Sequence, residues 1–556
     1  MQTINIPDFT NTAPLDFSNP DDNVQGKIDE AIALIRKTML GARYPLLIHG
    51  KGVWSEKTFA RENPSKTNEI IGNVDMATTD HVGACIEKLQ HSKVLQEWST
   101  APVEYRAKRL RWVADKFREK RFFFIALTIL ETGKSAPEAD GEICEAIDFL
   151  EWYAAYAPFV VELCNKTLIS PCGEKNSAEV VPATRVPICA SIQPWNFPVA
   201  ISVGPAAAAL VSGYAVLYKP SQQSSVIGYH MVKTFLDAGI PPALLHFLPG
   251  SGKEIGTYMV KHRQVSAVAF TGSKKVRDEI QYDIAEFNKN EIPRIAMRDR
   301  YQKQALALES GGKNAIIVDS DADMDEAVVG ISDSTFGFQG QKCSACSRLI
   351  IVDKDGIHGE VYKAITSRLK DRMKSMRIGN AEDPKNQIGP LIDINAYNKF
   401  NTYLDTAKGD ECVVTTRVIP SASHSHGYFV PPTIVEQLHP YSKIAQEEIF
   451  GPLLSVFSAL SFEDAIHLAN ASEFALTAGI YSRNEDNIAL AKRMLIAGNI
   501  YINHKITGAV VGKQPFGGFK MSGNGTKAGG WDYLLSFLLQ QKNITENTMR
   551  RGIPLE

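Results

Sequence analysis

The sequence predicts an α/β fold: a parallel sheet followed by a second α/β region. Three features predict it. From about residue 178, short apolar runs alternate with helical stretches. Most of those runs end in glycine, proline or a hydroxyl residue, as strands do when their C-terminal loops face a ligand. A second series of apolar runs begins at Gln304. With 556 residues, 44% hydrophobic and 22% charged, the chain can bury a large core. Its length corresponds to roughly three or four domain-sized units.

The N-terminus, MQTINIPDFTNTAPLDFSNPDD, has neither a basic start nor an apolar core, so no signal or transit peptide is expected and the cytoplasm is the expected location. Residues 25–48 and 80–165 carry mostly helical periodicity. Val199 to Tyr218 is uncharged over its whole length, with Gly204, Pro205 and Gly213 inside it. We read it as a buried helix and a short strand ending at Lys219, and expect no membrane span. VPICASI, AVLYKP, LLHFLPG and VSAVAFTGS are the strand candidates of the first region. The charged segment 281–303 reads as a helix and surface connection. QALALESGGKNAIIVD, SRLIIVD and GPLLSVFS are the strand candidates of the second region. The tail WDYLLSFLLQQKNITENTMRRG reads either as a strand added to a partner subunit or as an ordinary edge strand.

A formal net charge of −2, spread along the chain, argues against a nucleic-acid partner. Eight cysteines without a secretion signal do not make a disulfide framework. Only Cys343 and Cys346 are close, in GFQGQKCSACSR, and no second Cys or His pair completes a zinc site, so no metal is expected. A thioredoxin-like role for this pair stays open on spacing alone.

Gly250, Gly252 and Gly256 follow the strand candidate LLHFL in PGSGKEIG, where bare backbone can approach a phosphate. Lys219 in KPSQQSS stands at a strand end, where an ammonium can bond ribose hydroxyls. Ser273 in FTGS ends another strand, near where a pyrophosphate would lie. Together these loops favour a dinucleotide crevice over plain turns. Three further residues make a constellation for acyl-type chemistry: Cys343 as nucleophile, Glu309 in ALESGGKN as base, Asn196 in PWNFP as oxyanion donor. Each also has a bland reading, as a core cysteine, a surface glutamate or a turn-capping asparagine.

PWNFP, YKPSQ, PGSG, FTGS, ESGGKN, GQKCSA, EEIFGP and QPFGGFKMSG occur in the order found in the aldehyde dehydrogenase superfamily, which the chain resembles over roughly 45–540. The resemblance implies a Rossmann-like NAD-binding domain (45–175 and 191–308), an α/β catalytic domain (309–500) and an N-terminal arm (1–44). A small β flap for oligomerisation (176–190 and 501–548) would make a homodimer or higher homo-oligomer. It also implies that Cys343 attacks the aldehyde, that Asn196 and the Cys343 N–H hold the oxyanion, and that Glu309 activates water against the thioester. Cys346 would have no metal-binding part. Glu448 would hold the nicotinamide ribose beside Phe450, and Trp195, Thr271 and Gly272 would line the coenzyme site. The implied cofactor is NAD, with NADP as the alternative. Gln222 stands where most of the family has a glutamate that binds the adenosine ribose and repels a 2′-phosphate.

Within the superfamily, GFQGQKCSACSR, TGAVVGKQPFGG, SGNGTKAGGWDYL and the MRRG ending most resemble the 1-pyrroline-5-carboxylate dehydrogenase branch. That resemblance implies that Ser344, Gly508 and Ala509 bind a substrate α-carboxylate, where N–H groups and a hydroxyl supply donors. Phe197 and Phe516 would pack the aliphatic chain, and Glu145 in CEAIDFLEW would meet the ammonium. The expected function is NAD-dependent oxidation of L-glutamate γ-semialdehyde to L-glutamate, the second step of proline catabolism, by a stand-alone enzyme. The alternatives are another semialdehyde dehydrogenase, such as one for succinate semialdehyde, or a non-catalytic binding protein with this fold.

Overall fold

A strand covered by helices on both faces reads as an unbroken apolar run. In the computed structural model Ile188–Ile192 and Ala215–Lys219 are such strands, and every residue of both is buried. The structure describes residues 6–169, 174–181, 186–295, 305–409, 412–419, 426–538, 540–547, 549–550 and 553–554.

The first sheet contains β1 (Leu46–Ile48), β2 (Lys51–Val53), β3 (Ile188–Ile192), β4 (Ala215–Lys219), β5 (Leu245–Phe247), β6 (Ala267–Gly272) and β7 (Ala305–Ser310). Their order is β7-β6-β3-β4-β5-β1-β2. β3 to β7 run parallel, and β1 and β2 close one edge antiparallel. The chain builds outward from β3 through β4 to β5, then returns to the other side of β3 for β6. The strand order therefore reverses between β3 and β6. In an open α/β sheet a crevice forms there, beyond the strand C-termini.

The second sheet contains β8 (Asn314–Val318), β9 (Cys346–Val352), β10 (Val413–Thr416), β11 (Thr433–Glu436), β12 (Leu453–Ala459), β13 (Thr477–Tyr481) and β14 (Asn499–Ile502), ordered β10-β11-β12-β9-β8-β13-β14. Only Gly311, Gly312 and Lys313 separate β7 from β8. The C-terminal end of the first sheet is thus tied closely to the N-terminal end of the second. A third, antiparallel sheet joins Lys166–Ile169, Glu174–Val181 and Gln540–Asn547, so the C-terminal strand pairs within its own chain.

The helical reading of 25–48 needs correction: α1 covers Val24–Thr38, and residues 42–44 and 46–48 are strands. Gly41, at φ 68°, turns the chain after α1, and Ala42–Tyr44 then pairs with Gly72–Val74. The long helix α2 (Ala136–Cys164) packs on α3 (Ala200–Val211), which is buried nearly all round as its apolar sequence requires. Among the described residues no helix is long and apolar enough to cross a membrane. The charged segment continues a helix to Ile295, and residues 296–304 lie outside the described set. The second sheet is fastened by Arg348 on β9, which is 4% exposed. It donates to Lys313 O (2.9 Å) and to Leu468 O (2.9 Å) and Ala469 O (2.7 Å), in the last turn of α4 (Phe462–Asn470).

Arg348→Met keeps much of the volume and strips these carbonyls of their donor. At about 1–3 kcal/mol for each unpaired buried group, it should destabilise the chain by about 3 kcal/mol, read as a lower denaturant midpoint. An unchanged midpoint would mean that water replaces the guanidinium.

Candidate active site

A cavity of about 350 Å³ opens at the C-terminal ends of β3 and β6, where the strand order reverses. Trp195 and Asn196 enter it from beyond β3, and Thr271, Gly272 and Ser273 from β6. Cys343 reaches it from the second sheet, and Glu448 and Phe450 close the far side.

The loop before Cys343 is strained. Phe338 and Gln339 are left-handed at φ 48° and 55°, and Gly340 follows at φ 66°. Left-handed non-glycine residues cost about 1–3 kcal/mol each. At Gly340 a Cβ would overlap Gly451 O. The surroundings hold the turn: Gln341 accepts from Ile392 N (2.9 Å) and donates to Pro390 O (3.4 Å). Asn314 donates to Cys343 O (2.7 Å) and Ala345 O (2.9 Å) and accepts from Thr477 N (3.0 Å). Asn196, 4% exposed, donates its amide to Gln341 O at 3.3 Å, which places it against the Cys343 loop. Cys346 lies apart from this chemistry, packed in the second sheet's core and donating to Arg348 O at 3.5 Å.

Glu309, next to last in β7, has a buried Oε1 with no hydrogen-bond partner among the described residues. At Gly517 a Cβ would overlap Thr526 O and come within 2.8 Å of that oxygen, so the facing loop approaches as bare backbone. Burial pushes the Glu309 carboxyl up to about 8, opposed by Lys527. Lys527 itself donates to the carbonyls of Gly498 (2.7 Å) and Gly517. Burial also pushes the Cys343 thiol up to about 12, reinforced by Glu309, Glu448 and Glu145 and opposed by the Ser344 N–H. Burial thus favours the neutral forms of both groups, and the Glu309 charge acts on the Cys343 thiol.

The Glu448 carboxylate accepts from Gly312 N (3.0 Å), and a Cβ at Gly311 would overlap it. Both glycines of ESGGKN are thus explained by close approach. Burial raises the Glu448 carboxyl, while Gly312 N–H, Lys399 and Lys313 oppose. Phe450 is left-handed at φ 61° and meets Trp195 edge-on at 5.5 Å. A second cavity of about 350 Å³ is lined by Gln222, Gly252, Gly256 and Lys253. Lys219 runs beside Gly256, donates to Pro220 O at 3.2 Å, and is pushed down to about 8 by burial. Gly250 lines neither cavity. A Cβ there would meet Ile255 Cδ1 (2.9 Å) and Ala77 O (3.1 Å). The donor set suits an extended dinucleotide, with a carboxylate for one ribose, an ammonium and an amide for the other, and bare glycine backbone at the second cavity. Gln223, which sequence reasoning missed, donates to Asp393 Oδ2 at 2.9 Å across the first cavity.

Glu145, Phe197, Ser344, Gly508, Ala509 and Phe516 line neither cavity. Ser344 directly follows the nucleophile and its carbonyl accepts from Thr477 (3.3 Å). The Glu145 carboxyl is raised to about 8 by burial and by Glu142. Glu145 and Trp152 share a face of α2, and Gly512 comes within 2.5 Å of Trp152 Cζ3 for any added Cβ. The loop of Gly508 and Ala509 therefore packs against the helix that carries Glu145. Gly508, at φ 76°, faces open space. Phe516 is fixed by a two-way backbone bridge to Ala528 at 2.8 Å. Phe197 packs beneath the Lys134 ammonium at 3.7 Å. Away from this site, His49, Cys85 and His246 bring possible ligand atoms within 4.8 Å of one another. Both ring nitrogens of His246 are already engaged, by His49 N and Ala243 O, each at 3.1 Å.

A model described as the aldehyde dehydrogenase family matches residues 53–544. A 1-pyrroline-5-carboxylate dehydrogenase of Halalkalibacterium halodurans is 37% identical over 519 residues, 93% of this chain and 95% of the relative. One from Bacillus subtilis is 36% identical over 532 residues, 95% of this chain and 98% of the relative. Among solved structures, a 1-pyrroline-5-carboxylate dehydrogenase from Thermus with bound NAD matches at TM-score 0.88 and 34% identity, covering 97% of this chain and 99% of that one. Proline utilization A from Bdellovibrio bacteriovorus matches at TM-score 0.90 and 38% identity, covering 98% of this chain. The present chain spans 54% of the length of that larger protein.

The raised Glu309 carboxyl carries a stability prediction with a definite sign. Its folded value of about 8 lies above the ordinary glutamate value of about 4.3, so the native state binds more protons in between. Wild-type stability should therefore fall as pH rises through this window. Glu309→Gln, which cannot ionise, should melt higher than wild type above about pH 8, the gain shrinking toward about pH 4. Thermal midpoints across pH check this, and a pH-independent difference would contradict it.

Proposed function

The chain belongs to the aldehyde dehydrogenase family, and we propose that it oxidises L-glutamate γ-semialdehyde, the open form of 1-pyrroline-5-carboxylate, to L-glutamate with NAD. The observation that carries the chemistry is the buried Glu309 carboxyl, its Oε1 without a hydrogen-bond partner among the described residues and its charge acting on the Cys343 thiol. The substrate is carried by relatives of that name that cover nearly the whole chain.

In this reading the Cys343 thiol gives up its proton to water as its sulfur bonds to the aldehyde carbon, giving a thiohemiacetal. The developing oxyanion is met by the Asn196 amide and the Cys343 N–H, donors already fixed before the charge appears. Bound NAD supplies the acceptor for the hydride that leaves this carbon. Glu309 next draws a proton from water as its oxygen attacks the thioester, which returns the thiolate and releases glutamate. Glu448 would bond the nicotinamide ribose, with Trp195 and Phe450 beside the ring, and Lys219 and Gln222 would bond the adenosine ribose. The substrate α-carboxylate falls to Ser344, Gly508 and Ala509, its ammonium to Glu145, its chain to Phe197 and Phe516. An arriving ammonium would favour the ionised form of Glu145, offsetting the burial that raises it. We read the first sheet as the coenzyme half, the second as the catalytic half, and the three-stranded sheet as the contact for a second copy.

Cys343→Ala should abolish oxidation while coenzyme binding persists, and Cys346→Ala should keep most activity. A matching loss in both would revive a paired-cysteine mechanism. Charge-assisted hydrogen bonds to the head group are worth about 1.5–3 kcal/mol each. An aliphatic aldehyde of similar length should thus lose about ten- to a hundredfold or more in kcat/KM, and glutamate should compete with the semialdehyde. Equal efficiency on both aldehydes, without inhibition by glutamate, would leave an aldehyde dehydrogenase but remove this substrate.

A further inference from the structure

Lys134 and Glu142 lie inside the molecule, 0% and 1% exposed, and take no part in the chemistry above. A buried ion pair gives little net stability, because desolvation offsets its attraction. Its placement points to another role. Glu142 stands on α2 between Glu138 and Glu145, four residues after one and three before the other, so all three share a face. Glu138 accepts from Lys342, the residue before Cys343, at 2.7 Å. Glu142 bonds Lys134 through Oε2. Its Oε1 accepts from Val199 N (2.7 Å) and Ala200 N (3.4 Å).

Those amides open α3, whose N-cap residue is Val199, with no side chain able to cap it. A carboxylate from another helix supplies the cap. Asn196 lies three residues earlier, on the PWNFP loop that leads into α3. The Lys134 ammonium packs on an aromatic ring in each of the two segments that carry the oxyanion cradle. It sits 3.7 Å from the Phe197 ring centroid, next to Asn196, and 4.8 Å from that of Phe338, in the strained turn before Cys343.

We infer that Glu142, held by Lys134, is a positioning residue for the oxyanion cradle: by capping α3 it fixes the loop that sets the Asn196 amide against the Cys343 loop. The inference rests on the role proposed for Asn196 and adds a residue that touches neither substrate nor coenzyme.

The test is a double-mutant cycle on the full chain, read as the burst rate of reduced coenzyme after mixing with NAD and the semialdehyde, together with the coenzyme dissociation constant. Asn196→Ala should slow the burst about a hundredfold or more. Glu142→Ala should slow it about ten- to a hundredfold, with coenzyme affinity changed by less than about twofold. If Glu142 acts through Asn196, the double variant should be within about threefold of Asn196→Ala. Glu142→Gln keeps an oxygen for the Val199 N–H, and its burst should stay within about fivefold of wild type. Gln thereby guards against an Ala variant that fails to fold. Losses that multiply in the double variant, or a Gln variant as slow as Ala, would overturn the inference and leave the function standing. An Asn196→Ala burst equal to wild type would overturn the proposed oxyanion role, and this inference with it.

Discussion

Three residues join the two sheets, and their shortness constrains everything around the site. Ser310 ends β7, Asn314 begins β8, and the Gly311-Gly312-Lys313 link leaves no slack between them. Glu309, near the end of one sheet, is thereby held close to Asn314, which grips the Cys343 carbonyl on the other. The link also has to pass the Glu448 carboxylate so closely that no Cβ fits at Gly311. Glu448, Glu309 and the Cys343 loop are positioned by the same few backbone atoms.

Around that seam the molecule buries charge and strain that a merely stable protein would avoid. Glu309 and Lys313 each keep a buried polar atom without a hydrogen-bond partner among the described residues, and Phe338, Gln339 and Phe450 adopt left-handed backbone. Both kinds of cost occur elsewhere in the chain as well, and at this seam they meet, where raised or lowered proton affinity and fixed aim suit reactive groups. The rest of the structure offsets them. α2 contributes Glu138 toward the Cys343 loop and Glu142 toward α3, so a single rigid helix braces both sides of the cradle.

Much of this was legible in the chain because its signals are local. Fully buried strands gave unbroken apolar runs, and Val199–Tyr218 resolved into helix and strand as its small residues and glycines required. Glu309, Asn196 and Cys343 stood out because each follows or precedes a glycine- or proline-rich turn. What was not legible depends on partners distant in sequence. Asn314 looked like the end of a motif, yet its value lies in Cys343 O and Thr477 N. Lys527 sits among glycines and serines, and only the fold brings it near Glu309. Helical periodicity carried α1 too far, since strand pairing with Gly72–Val74 overrides local preference at Ala42–Tyr44. Gly250 drew attention as part of a phosphate loop, and only the fold shows that a Cβ there would also meet Ile255 and Ala77.

The central claim is that Cys343 carries the acyl group and Glu309 releases it. Mixing the Glu309→Gln enzyme with NAD and glutamate semialdehyde, quenching in acid and mapping peptides by mass spectrometry tests it directly. The account predicts a glutamyl group held on the peptide containing Cys343, absent when Cys343 is replaced by Ala in the same background. A glutamyl mass on Cys346, or no covalent adduct despite formation of reduced coenzyme, would contradict it.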